Sequence, residues 1–184
     1  MPTQFQKQLQ AATEITVSPD DCQITTDSNC RLIARGIESC VTLAVHAPKL
    51  GIAALLRFSN PKSEPSDSLE TAGSSADTAV PLLFGHLRKA GIQTSELMVY
   101  AVGASVNGND EASAALAKKN ELALRRLLWR EGVILTGEDL GGTEPRSLWF
   151  DTGSGRVIVR TGSYTSAAAP AQRPQGDKQC RFAS

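Results

Sequence analysis

The side chains most able to do chemistry in this chain are one thiol, a few charges around it and two histidines. Cys40 lies in the run Ala34-Arg35-Gly36-Ile37-Glu38-Ser39-Cys40-Val41, where Gly36 to Ser39 reads as a tight corner and Val41 begins a strand. A thiol at the root of a strand can be held rigidly beside backbone amides, which suits a nucleophile and the oxyanion it generates. The same position suits a small buried hydrophobe, the usual role of an unpaired cysteine. On these residues alone both readings stay open. His46 shares side-chain parity with Cys40 but lies roughly 20 Å along an extended strand, too far to act on the sulfur, and it reads as structural. Glu38, Arg35 and Arg57 read equally well as a solvated salt-bridge cluster and as charges that act on the thiol.

No metal or cofactor is expected. Cys22, Cys30, Cys40 and Cys180 form no C-x-x-C pair, and His46 and His86 are not spaced as a pair, so the ligand pattern of a zinc site is missing. The 19 basic and 19 acidic residues cancel, which removes the electrostatic case for nucleic acid or an anionic membrane. No apolar run is long enough for a spanning helix. The Gln-rich start lacks the apolar centre of a signal peptide, so a cytoplasmic protein is expected.

The elements that must position Cys40 follow from the patterning. Cys30 to Arg35 is strand-like, and Cys40 to Ala47 is apolar enough to be buried on both faces. Pro48 to Gly51 turns the chain into a third strand, Ile52 to Phe58. Residues from Asn60 to Ala76 are rich in Pro, Ser and Gly and read as a flexible loop of lid or linker type. Ser75 or Asp77 can cap a helix running to about Ala90, with Gly91 beyond its end and Pro81 tolerated in its first turn. Leu97 to Val102 reads as a strand and about Ala112 to Glu131 as a long helix stopped by Gly132. Val133 to Thr136 reads as a strand, Asp139 to Thr143 as a tight loop, and Ser147 to Asp151 with Arg156 to Arg160 as a hairpin. The order predicts one α/β domain, a layered sandwich of mixed β-sheets with packed helices, over residues 23–162. Residues 1–22 read as a flexible lead-in and 163–184 as a disordered tail.

Several segments, taken in order, resemble the CheD family of chemoreceptor glutamine deamidases. Gly36-Ile37-Glu38-Ser39-Cys40-Val41 resembles its L-G-L-G-S-C-V nucleophile turn, and Gly51 through Pro61 its G-x-G-G-x-x-H-F-x-L-P strand without a gap. Tyr100 to Ser105 is similar to its F-G-G-A-N segment, and Asn120 stands at the Asn of its G-x-x-N helix start. Asp139-Leu140-Gly141-Gly142 with Arg146, and Gly155-Arg156-Val157, resemble its closing D-L-G-G-x-x-x-R and G-R-V hairpin. The likeness runs from about Thr25 to Gly162.

The resemblance implies a CheD-like sandwich fold and a cysteine nucleophile that attacks a receptor glutamine amide, releases ammonia and is freed by water, leaving glutamate. It also implies methyl-accepting chemoreceptors, and a CheC-type phosphatase, as partners. Position by position, Cys40 matches the nucleophile, while the family's His falls on Arg57 and its Thr on Ala34. A histidine can take and return a proton near neutral pH. Arginine can only supply a fixed positive charge, and alanine supplies no hydrogen bond. Two expectations therefore stand: a cysteine-dependent protein-glutamine deamidase, or a non-catalytic module that keeps the fold in order to bind chemoreceptors or the phosphatase.

Overall fold

In the computed structural model the described residues are 12–64, 73–106, 108 and 110–162. The strands are β1 (Thr13–Thr16), β2 (Cys22–Thr25), β3 (Cys30–Ile37), β4 (Val41–Ala47), β5 (Ile52–Phe58), β6 (Met98–Gly103), β7 (Gly137–Leu140), β8 (Arg146–Asp151) and β9 (Val157–Thr161). Two helices join them, α1 (Ala76–Lys89) and α2 (Glu111–Glu131). One sheet has the order β1-β3-β8-β9 and the other β2-β5-β4-β6-β7. Helices, five-stranded sheet and four-stranded sheet stack in that sequence, which is the layered α/β sandwich expected.

Strand alternation sorts the apolar residues into the two cores. On β4, Val41, Leu43, Val45 and Ala47 face the helices, packing with Leu83, Phe84 and Leu124. Ala44, with Ala53 and Leu55 of β5, faces the second sheet and meets Leu32, Ala34, Leu148 and Phe150. Both faces of β4 are therefore dry, and every one of its residues is buried. This is why its sequence reads as a continuous apolar run rather than an alternating one. The ends of α2 follow capping chemistry: Asp110 accepts from the Ala112 N–H and Gly132 closes the helix at φ 67°. Ser75 stands at the N-cap position of α1, where its side chain makes no capping hydrogen bond.

Four expectations need correction. Residues 13–22 are not a loose lead-in: β1 pairs in parallel with β3, Val17 is buried, and Cys22 lies in the helix-side core despite its polar neighbours. Short edge strands take their order from a partner's backbone, so side-chain pattern reveals them poorly. The strand expected at Val133 to Thr136 lies instead at Gly137–Leu140, overlapping the loop expected from Asp139; it pairs in parallel with β6 at the sheet edge. Pro81 stands inside α1, beyond its first turn, and Asn120 lies well inside α2 rather than at its start. Of the loop from Asn60 to Ala76, residues 65–72 lie outside the described residues, as do 1–11 and 163–184. Its ends are tied down: Asn60 bridges Ser75, and the Asp77 carboxylate accepts from the Ser63 N–H and hydroxyl.

Leu43 is fully buried in the centre of β4 whereas Leu50 is 52% exposed in the turn after it. Leu43→Ala is expected to lower stability by about 2–5 kcal/mol and Leu50→Ala by less than about 0.5 kcal/mol. Chemical unfolding of both variants checks this, and equal shifts in midpoint would overturn the assignment of the core.

Candidate active site

The corner that carries Cys40 is built by an irregularity in β3. Its pairing with β8 shifts register between Ala34 and Ile37, and Gly36 sits there at φ 60°, a backbone conformation natural to glycine. The chain then passes through Glu38 and Ser39, and Cys40, which is half-buried, precedes β4.

Two distant segments hold that corner through its carbonyls. The Glu38 carbonyl accepts from the Ser105 N–H at 2.8 Å and the Cys40 carbonyl from the Ala104 N–H at 2.8 Å. The Ser39 carbonyl accepts from Asn120 Nδ2 at 2.9 Å, and the same amide nitrogen donates to the Ser59 carbonyl at 2.8 Å. Asn120 is fully buried, so it ties the strand entering at Cys40 to the strand leaving at Phe58 from inside the helix layer. Gly103 lies so close that a Cβ there would overlap the Cys40 carbonyl oxygen. Its neighbour Ala104 takes φ 52°, a strained choice for a residue with a side chain. The Gly141 N–H donates to the Gly103 carbonyl and the Val106 N–H to the Gly142 carbonyl. Arg146 pairs with Asp139 at 2.7 Å, which secures that glycine loop from the other sheet.

Arg57 points into the space between the sheets and is 3% exposed. Its Nη1 donates to the Val17 carbonyl at 3.1 Å and its Nη2 lies 3.8 Å from Cys40 Sγ, within hydrogen-bonding range for sulfur. Among the described residues no carboxylate pairs with this guanidinium. A buried cation without an anionic partner is costly, and here the guanidinium meets one backbone carbonyl and the sulfur. Glu38, a conceivable partner from sequence, forms no ion pair with Arg57, whose side-chain bonds go to Val17 and Cys40.

Ala34 lies buried in the inter-sheet core, opposite Leu148, and has no polar side-chain atom to offer. Neither histidine takes the missing role. His46 packs edge-on against Phe150, ring centroids 6.3 Å apart, at the far end of β4. His86 is exposed on α1, its Nδ1 bonded to the Leu82 carbonyl. The structure instead reveals two hydroxyls that sequence reasoning missed. Thr42, the cross-strand neighbour of Arg57, and Ser105 are fully buried, and among the described residues neither hydroxyl has a hydrogen-bond partner. Thr42 shares its strand face with Cys40 by alternation. Parity was the available signal for it; nothing in the sequence singled out Ser105.

A family model described as CheD chemotactic sensory transduction matches residues 59–161, a span that begins past Cys40 and Arg57. A probable chemoreceptor glutamine deamidase of Solibacter usitatus is 29% identical over 165 residues, covering 89% of this chain and 98% of that protein. A protein of the same description from Anaeromyxobacter dehalogenans is 31% identical over 154 residues, covering 83% and 97%. One from Clostridium kluyveri is 35% identical over 140 residues, covering 74% and 86%.

Asn120→Ala removes both clamping bonds and leaves two carbonyls unpaired. It is expected to cost about 2–5 kcal/mol, and to speed alkylation of Cys40 by iodoacetamide under native conditions as the corner loosens. A variant with wild-type stability and alkylation rate would show that the clamp does not hold the corner.

Proposed function

This chain belongs to the CheD family, and on that premise we propose that it serves chemotaxis by acting on glutamine side chains of methyl-accepting chemoreceptors, with Cys40 as nucleophile and Arg57 as a fixed cation facing it. The observation that supports this best is the 3.8 Å approach of Arg57 Nη2 to Cys40 Sγ, with no carboxylate paired to that guanidinium among the described residues. The curated relatives are described as probable chemoreceptor glutamine deamidases. Among the described residues no helix is long and apolar enough to cross a membrane, and we place the action in the cytoplasm.

The chemistry follows from what these side chains can do. Cys40 sulfur, as the thiolate, attacks the side-chain amide carbon, and the carbonyl oxygen takes up the negative charge. The C–N bond breaks and ammonia leaves with a proton that must come from solvent, because Arg57 cannot cycle one at neutral pH. Water then adds to the thioester carbon, the C–S bond breaks, and the products are glutamate and the regenerated thiol. The absence of a positioned acid and base is expected to slow this by about 10²–10⁴-fold relative to a site that has one.

A second reading is favoured by a specific observation: the one side chain bonded to the sulfur cannot accept a proton, and Ala34 adds nothing. On this reading the chain is a non-catalytic module that keeps the corner in order to bind chemoreceptors or a CheC-type phosphatase.

Incubation with a purified chemoreceptor cytoplasmic fragment separates the two. Slow ammonia release that Cys40→Ala abolishes supports the enzyme. Arg57→His combined with Ala34→Thr should then raise the rate by about 10²-fold or more. Receptor binding unaffected by Cys40→Ala, with no ammonia from the parent, supports the binding module instead.

A further inference from the structure

We infer that the outer face of α2 forms a docking groove for an acidic amphipathic helix of a partner protein. A groove of about 490 Å³ runs between this face and the start of the loop after β5, and its lining includes Pro61, Lys62, Lys119, Leu122, Arg126 and Arg130. All four cations are exposed, and among the described residues none has a carboxylate partner. The one acidic residue in the lining, Asp77, already accepts two hydrogen bonds from Ser63.

This is not the ordinary solvated face of a helix, because the same helix pairs its remaining lysine and arginine side chains. Lys118 and Arg125 both bond Glu121, whose carboxyl they hold below its usual range, and Arg125 also bonds Glu138. The chain carries no net charge, so the unpaired cations reflect local placement and not overall basicity. Lys119, Arg126 and Arg130 fall at i, i+7 and i+11, one stripe of the helix. Beside the stripe, Leu122 is 51% exposed and Pro61 continues the apolar floor. An apolar floor with a basic rim complements a helix carrying a leucine stripe flanked by carboxylates at matching spacing. The lining has no aromatic ring on which a nucleic-acid base would stack. Lys119 adjoins Asn120, and Pro61 follows Ser59 by two residues, so the groove abuts the clamp on the Cys40 corner. Docking here does not depend on turnover at Cys40.

The test uses the full chain and a fluorescein-labelled synthetic helix of about five turns, with glutamates spaced to match the stripe and leucines alongside. Fluorescence anisotropy is expected to report saturable binding that weakens with salt. Arg126→Glu with Arg130→Glu should weaken it by about tenfold or more. The charge-matched pair Lys89→Glu with Arg156→Glu, at exposed sites outside the groove, should change it by less than about twofold. Circular dichroism confirms that each variant is folded, and the milder Arg126→Gln with Lys119→Gln should give an intermediate loss. The inference is overturned if the peptide does not bind, if groove and control variants weaken it equally, or if removing residues 65–72 abolishes binding while Arg126→Glu with Arg130→Glu does not. Tighter binding to a DNA duplex or to phosphatidylglycerol vesicles than to the peptide would also overturn it.

Discussion

A single buried amide nitrogen holds this fold and its candidate site in one register. Asn120 Nδ2 reaches from inside α2 to the carbonyls of Ser39 and Ser59, the residues just outside the open end of the β4–β5 hairpin. Carbonyls at strand ends have no ladder partner, and burying them unpaired would cost more than a made hydrogen bond returns. One side chain satisfies both, so the helix cannot slide along the sheet without exposing them. The corner at Cys40 inherits its position from that constraint. The bonds from Ala104 and Ser105 to the Cys40 and Glu38 carbonyls then set its orientation.

On the opposite side of the same sheet the limiting term is electrostatic. Arg57 buries a guanidinium between two sheets; among the described residues its partners are one backbone carbonyl and one sulfur, and its Nε has none. A lysine in this place would present a compact, strongly hydrated charge. A guanidinium, more weakly hydrated and planar, tolerates the burial better and spreads its donors over two partners. The arrangement sets a fixed positive charge beside the sulfur but offers no route for a proton, and these two properties pull the functional reading in different directions. A histidine in the same place would reverse both: less fixed charge, more proton traffic.

The long helix α2 serves two layers at once. Leu124, Leu127 and Leu128 enter the helix-side core, Asn120 clamps the corner, and Lys119 with Arg126 and Arg130 faces outward. The spacing of its apolar residues made the helix readable, because burial of one face imposes a helical period on sequence. Its charged residues showed nothing of the kind. Lys118 and Lys119 are adjacent and chemically alike, yet one is paired and the other is not, and the difference depends on Glu121 lying on the same side as Lys118.

Residues alone determined the elements whose signals are local: the doubly buried β4 and β5, the helix stops at Gly91 and Gly132, and the hairpin closing at Thr152 to Gly155. The ordered motifs likewise determined the family, since each depends on residue type at short spacing. Tertiary structure decided what depends on partners distant in the chain. The edge strands β1 and β7 exist because β3 and β6 offer backbone donors and acceptors, which their own short, half-exposed sequences do not advertise. The Arg57 head meets Cys40 because the segment ending at Val17, read as a loose lead-in, folds back to bind it. The Thr42 hydroxyl gained significance only when cross-strand register placed it opposite Arg57. Short-range spacing encodes conformation and ancestry; the reach of a side chain across layers is decided by packing, which no stretch of sequence contains by itself.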